Sequence, residues 1–411
     1  MSYLFKIDSG FELVDYKSRQ GIFYQFYTKD GFSRPTTLLA TASSLYSADL
    51  DNAHTLHVVA LNSKHQIVYI SVCNAQINRQ VILDDPRQTY DFKDLHIFEL
   101  GGTLYFFYTV KNPTGTTRSL VFQTLDTTPS TPQTLLPSIF DHACVKLIKV
   151  NHQLHIFYTD FDTNYTLNHF IFNTSESQQL LTSPIPIINY SLCLIAHEMH
   201  LVIQKDAYGQ HQLSYFDVRQ ALELPLECTS TFDNPCLLSY CGFLWISYLA
   251  SDGLYIILAN PQTHQFSIPI KSSLQNHLNC STYRDSHSDS PLLATQLYAQ
   301  IYHTLRLPII AAFDTTGIHP DLSMATELDL MLDALNRSTP YSSPPTPLTI
   351  TPSPLSSNPP STPLTHVPFN DIPSPEPLTT SSPKQSLKSA TQSFMDSSVT
   401  FELLPRDTST P

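Results

Sequence analysis

The chain has 411 residues, 41% of them hydrophobic, and a formal net charge of −13. That length holds two or three average domains, or one large all-β domain with extra segments. An acidic balance without a basic run argues against a nucleic-acid partner, because phosphate binding needs clustered Lys and Arg.

The N-terminus, MSYLFKIDSGFELVDYK, has no basic stretch followed by an apolar core, so no secretory signal is expected. The apolar run LRLPIIAAF, Leu305 to Phe313, is too short to span a bilayer and contains Pro308, so no membrane insertion is expected. Seven cysteines form an odd set with no CxxC spacing. Cys144, Cys193 and Cys236 sit among apolar residues and read as buried thiols in a reducing compartment, not as disulfide partners or zinc ligands. A cytoplasmic location follows as the expectation.

A repeat runs through the first two thirds. A short apolar strand, a polar turn and a second apolar strand recur from anchors at Leu56, Leu104, Leu154, Met199 and Leu244, spaced by 48, 50, 45 and 45 residues. A degenerate earlier copy starts at Phe23, only 33 residues before Leu56, so that unit is short or its register differs. Each unit also has a strand before the anchor and a weaker one after the hairpin. Four strands in 45–50 residues is the size of one propeller blade. The strands are apolar on nearly every residue, as expected for a sheet buried on both faces. The expected fold is all-β, a β-propeller over residues 1–275. Six blades fit best, with five or seven as the neighbouring counts.

The succession of a hydrophobic–His–hydrophobic strand, Tyr, a polar hairpin and an aromatic strand resembles weakly conforming bacterial propellers, notably of clostridial type. It is similar, more distantly, to sialidase-like and fungal-lectin-like propellers. The resemblance covers roughly residues 10–275. There is no Trp-Asp repeat and no kelch glycine pair, and the sialidase aspartate box is matched only loosely by Ser251, Asp252 and Gly253. The resemblance therefore transfers no catalytic residue.

In FYTDFDTNYTLNHFIF, Asp160, Asp162 and Asn164 alternate like the first ligands of a calcium loop. A helix–loop–helix calcium site would need Gly where Tyr165 stands and a closing Glu where Ile171 stands, so the stretch reads as a hairpin tip. His57, His155 and His200 share one slot, one residue after their anchors, and other units put Tyr105 or Trp245 there. A slot that accepts any flat, amphipathic ring reads as packing between blades. No motif implies a cofactor, a metal or a catalytic residue. What remains are loop aromatics beside polar groups: Asp160, Phe161, Asn164 and Tyr165 in one hairpin, and Lys205, Tyr208 and His211 in the next. Aromatic faces with hydrogen-bonding neighbours suit peptides or sugars.

Residues 276–337 read as a linker with two short helices. One spans Ser290 to Leu307 on the stripe Leu293, Leu297, Ile301 and Leu305; the other spans Ser323 to Arg337 with Met324, Leu328, Leu332 and Leu335 on its apolar face. Residues 338–411 hold 16 of the 31 prolines and no glycine, a composition expected to be disordered. Within it, Phe394, Phe401, Leu403 and Leu404 mark a short partner-binding motif over residues 393–406. The functional expectation is a non-enzymatic binding or scaffold protein that engages a protein or peptide. A glycan-binding, lectin-like propeller is the alternative, with a sialidase-like hydrolase behind it.

Overall fold

The computed structural model describes residues 2–285 apart from 29, 114, 126–129, 151, 196, 230, 241, 273 and 275–277, and then residues 294–301, 305–307 and 322–338. Six sheets, antiparallel apart from one parallel pairing in the first, follow one another in chain order. Blade 1 comprises β1 (Ser2–Ile7), β2 (Gly10–Lys17) and β3 (Gly21–Thr28), with short outer pieces β4 (Gly31–Phe32) and β5 (Thr36–Leu39). Blade 2 is β6 (Ala42–Leu50), β7 (Leu56–Asn62), β8 (Gln66–Cys73) and β9 (Gln76–Asp84). Blade 3 is β10 (Phe92–Leu100), β11 (Thr103–Lys111), β12 (Thr117–Thr124) and β13 (Gln133–Phe140). Blade 4 is β14 (Val145–Val150), β15 (Gln153–Phe161), β16 (Tyr165–Ile171) and β17 (Glu176–Ser183). Blade 5 is β18 (Ile187–Ile195), β19 (Glu198–Ala207), β20 (Gln210–Asp217) and β21 (Leu222–Leu226). Blade 6 is β22 (Phe232–Tyr240), β23 (Phe243–Ala250) and β24 (Gly253–Asn260), with β25 (Gln265–Phe266) and β26 (Ile270–Lys271) at its outer edge. The described chain is thus a six-bladed β-propeller.

Each seam between neighbouring blades has its own apolar core. Leu56, Val58 and Ala60 pack against blade 1, while the intervening Val59 packs against blade 3. The same alternation holds in every second strand: Leu104, Leu154, Met199 and Leu244 all face the preceding blade. This is why the strands carry apolar residues on both faces, since period-two side chains must fill two seams at once. Phe11 of β2 also faces backwards, so the anchor of the first unit is Phe11, 45 residues before Leu56. Phe23 belongs to the third strand, β3, and the short first interval disappears.

The inner strands are tied round the axis by side-chain contacts. Ser47 and Asp49 of β6 accept the backbone N–H groups of Ile97 and Glu99 of β10. Lys149 of β14 pairs with Glu99 at 3.1 Å, Lys146 of β14 donates to the Tyr190 carbonyl of β18, and Ser191 of β18 accepts from Leu237 N of β22.

The ring is closed by the C-terminal part of the chain, where the sequence reading needs correction. Residues 296–301 are a strand, not a helix. β27 (Leu278–Asp285), β28 (Gln296–Ile301) and β29 (Leu305–Arg306) form an antiparallel set, and β27 runs parallel to β1. The sheet system therefore continues to residue 306 instead of ending at 275. Alternation of side chains explains the choice: Leu297 and Ala299 enter the seam between blades 6 and 1, while Tyr298 faces β22. β27 takes the open edge of β1, and its own outer edge then offers residues 296–301 backbone partners that outweigh a helical stripe. The hairpin touches the inner strands of all six blades. Ser281 bonds Ser2 at 2.7 Å; Arg284 pairs with Asp49 and lies 4.4 Å from the Phe98 ring. Gln296 accepts from Lys146 at 2.7 Å, Thr295 meets Ser191 at 3.2 Å, and Ala294 bridges to Leu238. Residues that reach blades 2 and 3 on one side and blades 4 and 5 on the other must lie at the axis.

The second expected helix is present as α1 (Leu322–Arg337). Met331 and Leu335 pack into the seam of blades 6 and 1 beside Trp245, the only tryptophan of the chain. No helix among the described residues is long and apolar enough to cross a membrane.

Candidate binding face

In an up-and-down sheet, the turn from second to third strand and the connection to the next blade leave from the same edge. All seven loop residues singled out from the sequence belong to that edge, in blades 4 and 5. The structure brings some together and separates others. Asp160 is the penultimate residue of β15, and its Oδ1 accepts the N–H groups of Phe140 (3.0 Å) and Phe161 (2.9 Å), tying the turn of blade 4 to the end of blade 3. Phe161 is 43% exposed and lies 4.6 Å from Tyr165 and 5.6 Å from Phe140, centroid to centroid. His142 adds an edge-on contact to Phe140 at 5.5 Å. Asn164 is exposed at the tip, where its carbonyl accepts from Asp162 N. Centroid spacings this short leave the rings packed on one another, so they present an outer apolar surface and enclose no cage.

The blade 5 residues diverge. Lys205 is buried, its Nζ 2.6 Å from Glu223, which also accepts from Ser214 at 2.5 Å. His211 donates from Nδ1 to the Phe232 carbonyl at 2.6 Å, and Gln204 donates to the same oxygen at 2.8 Å, joining blade 5 to blade 6. Tyr208 is fully exposed. It occupies a two-residue turn with φ +59°, followed by Gly209 at +84°, the pair of left-handed conformations that suits the twist of a tight hairpin. Lys205 and His211 are thus engaged in holding the blade, and Tyr208 alone projects from it.

Three residues of this face carried no individual signal in the sequence: Phe140, His142 and Ile188. Ile188 is 41% exposed at the start of β18, where a register shift between Ile187 and Asn189 interrupts pairing with β19. Phe140 and His142 stand in PSIFDHAC, a connection between repeats, and only the ring places them against the next hairpin. Phe161, Ile188 and Tyr208 are therefore three large exposed apolar side chains on one edge of two adjacent blades.

Beside them lies a charged cluster. Arg118 is buried, with Nε 2.7 Å from Asp141 and Nη2 2.7 Å from Asp91, and Lys111 reaches Asp141 at 3.2 Å. Burial pulls the Asp141 carboxyl upward, but hydrogen bonds from Lys111 and Arg118 outweigh it and leave the group below its ordinary value. The arrangement braces blade 3 where it meets the aromatic group.

The histidine slot proves to be a seam feature. His57 Nδ1 lies 2.8 Å from the Tyr69 hydroxyl, His200 Nδ1 lies 2.7 Å from the Tyr215 hydroxyl, and His155 Nδ1 lies 2.8 Å from His169 Nε2. Burial lowers the pKa of His155 and His200, and that of His169 to about 4. Among the described residues, no group of three His, Cys, Asp or Glu could hold a metal ion. Phe394, Phe401, Leu403 and Leu404 lie outside the described residues, as does the whole of 339–411.

No protein-family model matches the chain, and no curated protein matches its sequence. Solved structures of similar shape include the lectin SapL1 in complex with alpha methyl fucoside, at 9% identity and TM-score 0.40 over 63% of this chain and 92% of that one. A puromycin hydrolase mutant complexed with PGG matches at 8% identity and TM-score 0.48, over 74% of this chain and 52% of that one. A subtype N10 neuraminidase-like protein of A/little yellow-shouldered bat/Guatemala matches at 10% identity and TM-score 0.40, over 62% of this chain and 88% of that one. Sugar-binding and hydrolytic proteins stand side by side here, so the likeness is one of architecture, with no bearing on what this chain binds.

Proposed function

We propose that this protein is a non-enzymatic binding platform for a protein or peptide partner, working in the cytoplasm, with residues 338–411 as its tether. The observation that supports this reading is the apolar triad Phe161, Ile188 and Tyr208 on one edge of blades 4 and 5. Rigid aromatic side chains on a strand scaffold give contact area at little entropic loss, the character of interface anchors. The polar residues nearby are engaged within the propeller, as Asp160, Lys205 and His211 show. A partner with apolar and basic side chains fits best, since the net charge is −13 and Asp162 is exposed at the same edge. Phe394, Phe401, Leu403 and Leu404 of the tail supply a second contact in this reading.

The test is affinity capture from native extract with four forms: the full chain, a tail deletion ending at 338, a Phe161→Ser/Ile188→Ser/Tyr208→Ser variant, and both changes together. The exposed positions leave folding intact, which circular dichroism checks. A specific partner retained by the full chain and lost by the triple variant supports the platform. Identical partners for all four forms overturn it. The second reading, a glycan-binding propeller, draws on the half-exposed Phe161 ring beside Asn164 and Asp162, because a sugar stacks on such a face while hydrogen-bonding the neighbours. Binding on a glycan array that Phe161→Ala abolishes would replace the first reading with the second.

A further inference from the structure

The seam between blades 6 and 1 differs from the other five because the hairpin of β27 and β28 fills it. Alongside its main core lies a small separate one, made of Cys236, Leu254 and Tyr298 with Leu249, Leu278 and Cys280 packed against them. Cys236 is on β22, the inner strand of blade 6, and Cys280 is on β27, the strand that completes the ring on β1. Their Sγ atoms are 3.6 Å apart. The strands that carry them are held in place by other contacts: the Tyr298 hydroxyl donates to the Asp233 and Asn234 carbonyls at 2.8 and 3.0 Å, and Ser281, next to Cys280, bonds Ser2 at 2.7 Å.

We propose that Cys236 and Cys280 form a reversible disulfide that latches the closing hairpin to blade 6. The pair needs a further approach of about 1.5 Å to reach a bonded S–S distance of about 2.05 Å. That is within the reach of a side-chain rotation. The two thiols are unequal. The contact with Cys236 and the nearby Lys146 ammonium hold Cys280 below the usual thiol range against the pull of burial, while burial raises Cys236. Cys280 is also the more exposed of the two. It is therefore the attacking group. The Cys280 thiolate attacks a small-molecule disulfide such as oxidised glutathione, forming a mixed disulfide and releasing one thiolate. Cys236, losing its proton, then attacks Cys280 Sγ and displaces the second thiolate. The protein gives up two electrons and two protons, and the small disulfide becomes two thiols.

The bond would join positions 44 residues apart across the only seam that is closed by non-consecutive segments. Locking this seam restrains the whole ring, because β27, β28 and Ala294 and Thr295 just before β28 together touch every inner strand. Trp245 lies in the adjoining core and reports on it by fluorescence.

The experiment equilibrates the full-length protein with oxidised and reduced glutathione in graded ratios, blocks free thiols with iodoacetamide, and maps cysteine peptides by mass spectrometry. The expected product is a cross-linked peptide pair containing Cys236 and Cys280, cleaved by dithiothreitol. The melting temperature read by Trp245 fluorescence should rise by about 5 °C on oxidation. Cys280→Ser should lose both responses, and Cys73→Ser, which alters an exposed cysteine remote from the seam, should keep both. Full alkylation of Cys236 and Cys280 after oxidation, while Cys73 acquires glutathione, overturns the proposal. So does an unchanged rise in melting temperature in Cys280→Ser.

Discussion

Glu12 occupies in blade 1 the slot that holds His57, His155 and His200 elsewhere, and burial shifts it in the opposite sense to His155 and His200. It stands between Phe11 and Leu13, which face blade 6, so its side chain points into the seam with blade 2. That seam is lined by Phe5, Val14, Tyr24, Val58 and Ile70, and Glu12 is only 5% exposed. Burial raises its pKa from 4.5 to about 7. At low pH the group is protonated in both folded and unfolded chains and contributes nothing. As pH rises through 4.5 the unfolded chain loses its proton while the folded one retains it, and stability falls until pH 7, above which both are ionised. A shift of roughly 2.5 units corresponds to about 3 kcal/mol. Glu12→Gln removes the titration but keeps the shape. Its amide adds a constant offset of about 1–2 kcal/mol for a buried polar group. The diagnostic quantity is therefore the change with pH. Urea unfolding of both proteins, followed by Trp245 fluorescence, should show the stability of Glu12→Gln rising relative to the parent by about 3 kcal/mol between about pH 4.5 and 8. A difference that stays flat across that range would refute the burial of an unpaired carboxyl in the seam.

Other outcomes follow from the same packing. Arg118→Ala leaves the Asp141 and Asp91 carboxylates without their shared cation and should lower stability by about 2–3 kcal/mol in urea unfolding. Tyr215→Phe removes the hydroxyl from His200 and should cost about 1 kcal/mol by the same measurement. Arg284→Ala strands the buried Asp49 and strips the Phe98 ring of its cation; a loss of about 3 kcal/mol with an earlier red shift of Trp245 emission is expected, and an unchanged midpoint would deny the hairpin its closing role. Acidification should act through His155 and His169: both are held neutral by burial, so the stability they confer is complete above about pH 6.5 and falls as pH drops towards 4. His169→Phe should flatten that acid limb in thermal melts between pH 7 and 4.

The repeat is legible in the sequence because each blade must bury two faces of one sheet, and that demand writes the same apolar pattern every 45–50 residues. Leu104, Leu154, Met199 and Leu244 were anchors in the sequence for the reason that they fill the preceding seam in the fold. Residues 322–337 were legible as a helix for a similar reason, since a helical stripe is local. Residues 296–301 were not. Leu293, Leu297, Ile301 and Leu305 satisfy helical spacing, yet their partner β27 is held as a strand by the edge of β1, about 275 residues earlier in sequence, and that long-range pairing leaves no local sign.

The candidate face divides along the same line. Phe161, Tyr165 and Tyr208 could be picked out as aromatics in polar turns, because turn chemistry is local. Lys205 and His211 looked equally available, but Glu223 and the Phe232 carbonyl claim them through strand register and blade order, which no spacing records. Phe140, Ile188 and the facing thiols of Cys236 and Cys280 acquire meaning only when the ring is closed. Local periodicity, set by side-chain direction and burial, makes the blades; which blade meets which, and what lies at the axis, comes from closing a ring in which β1 and β27 must share one sheet.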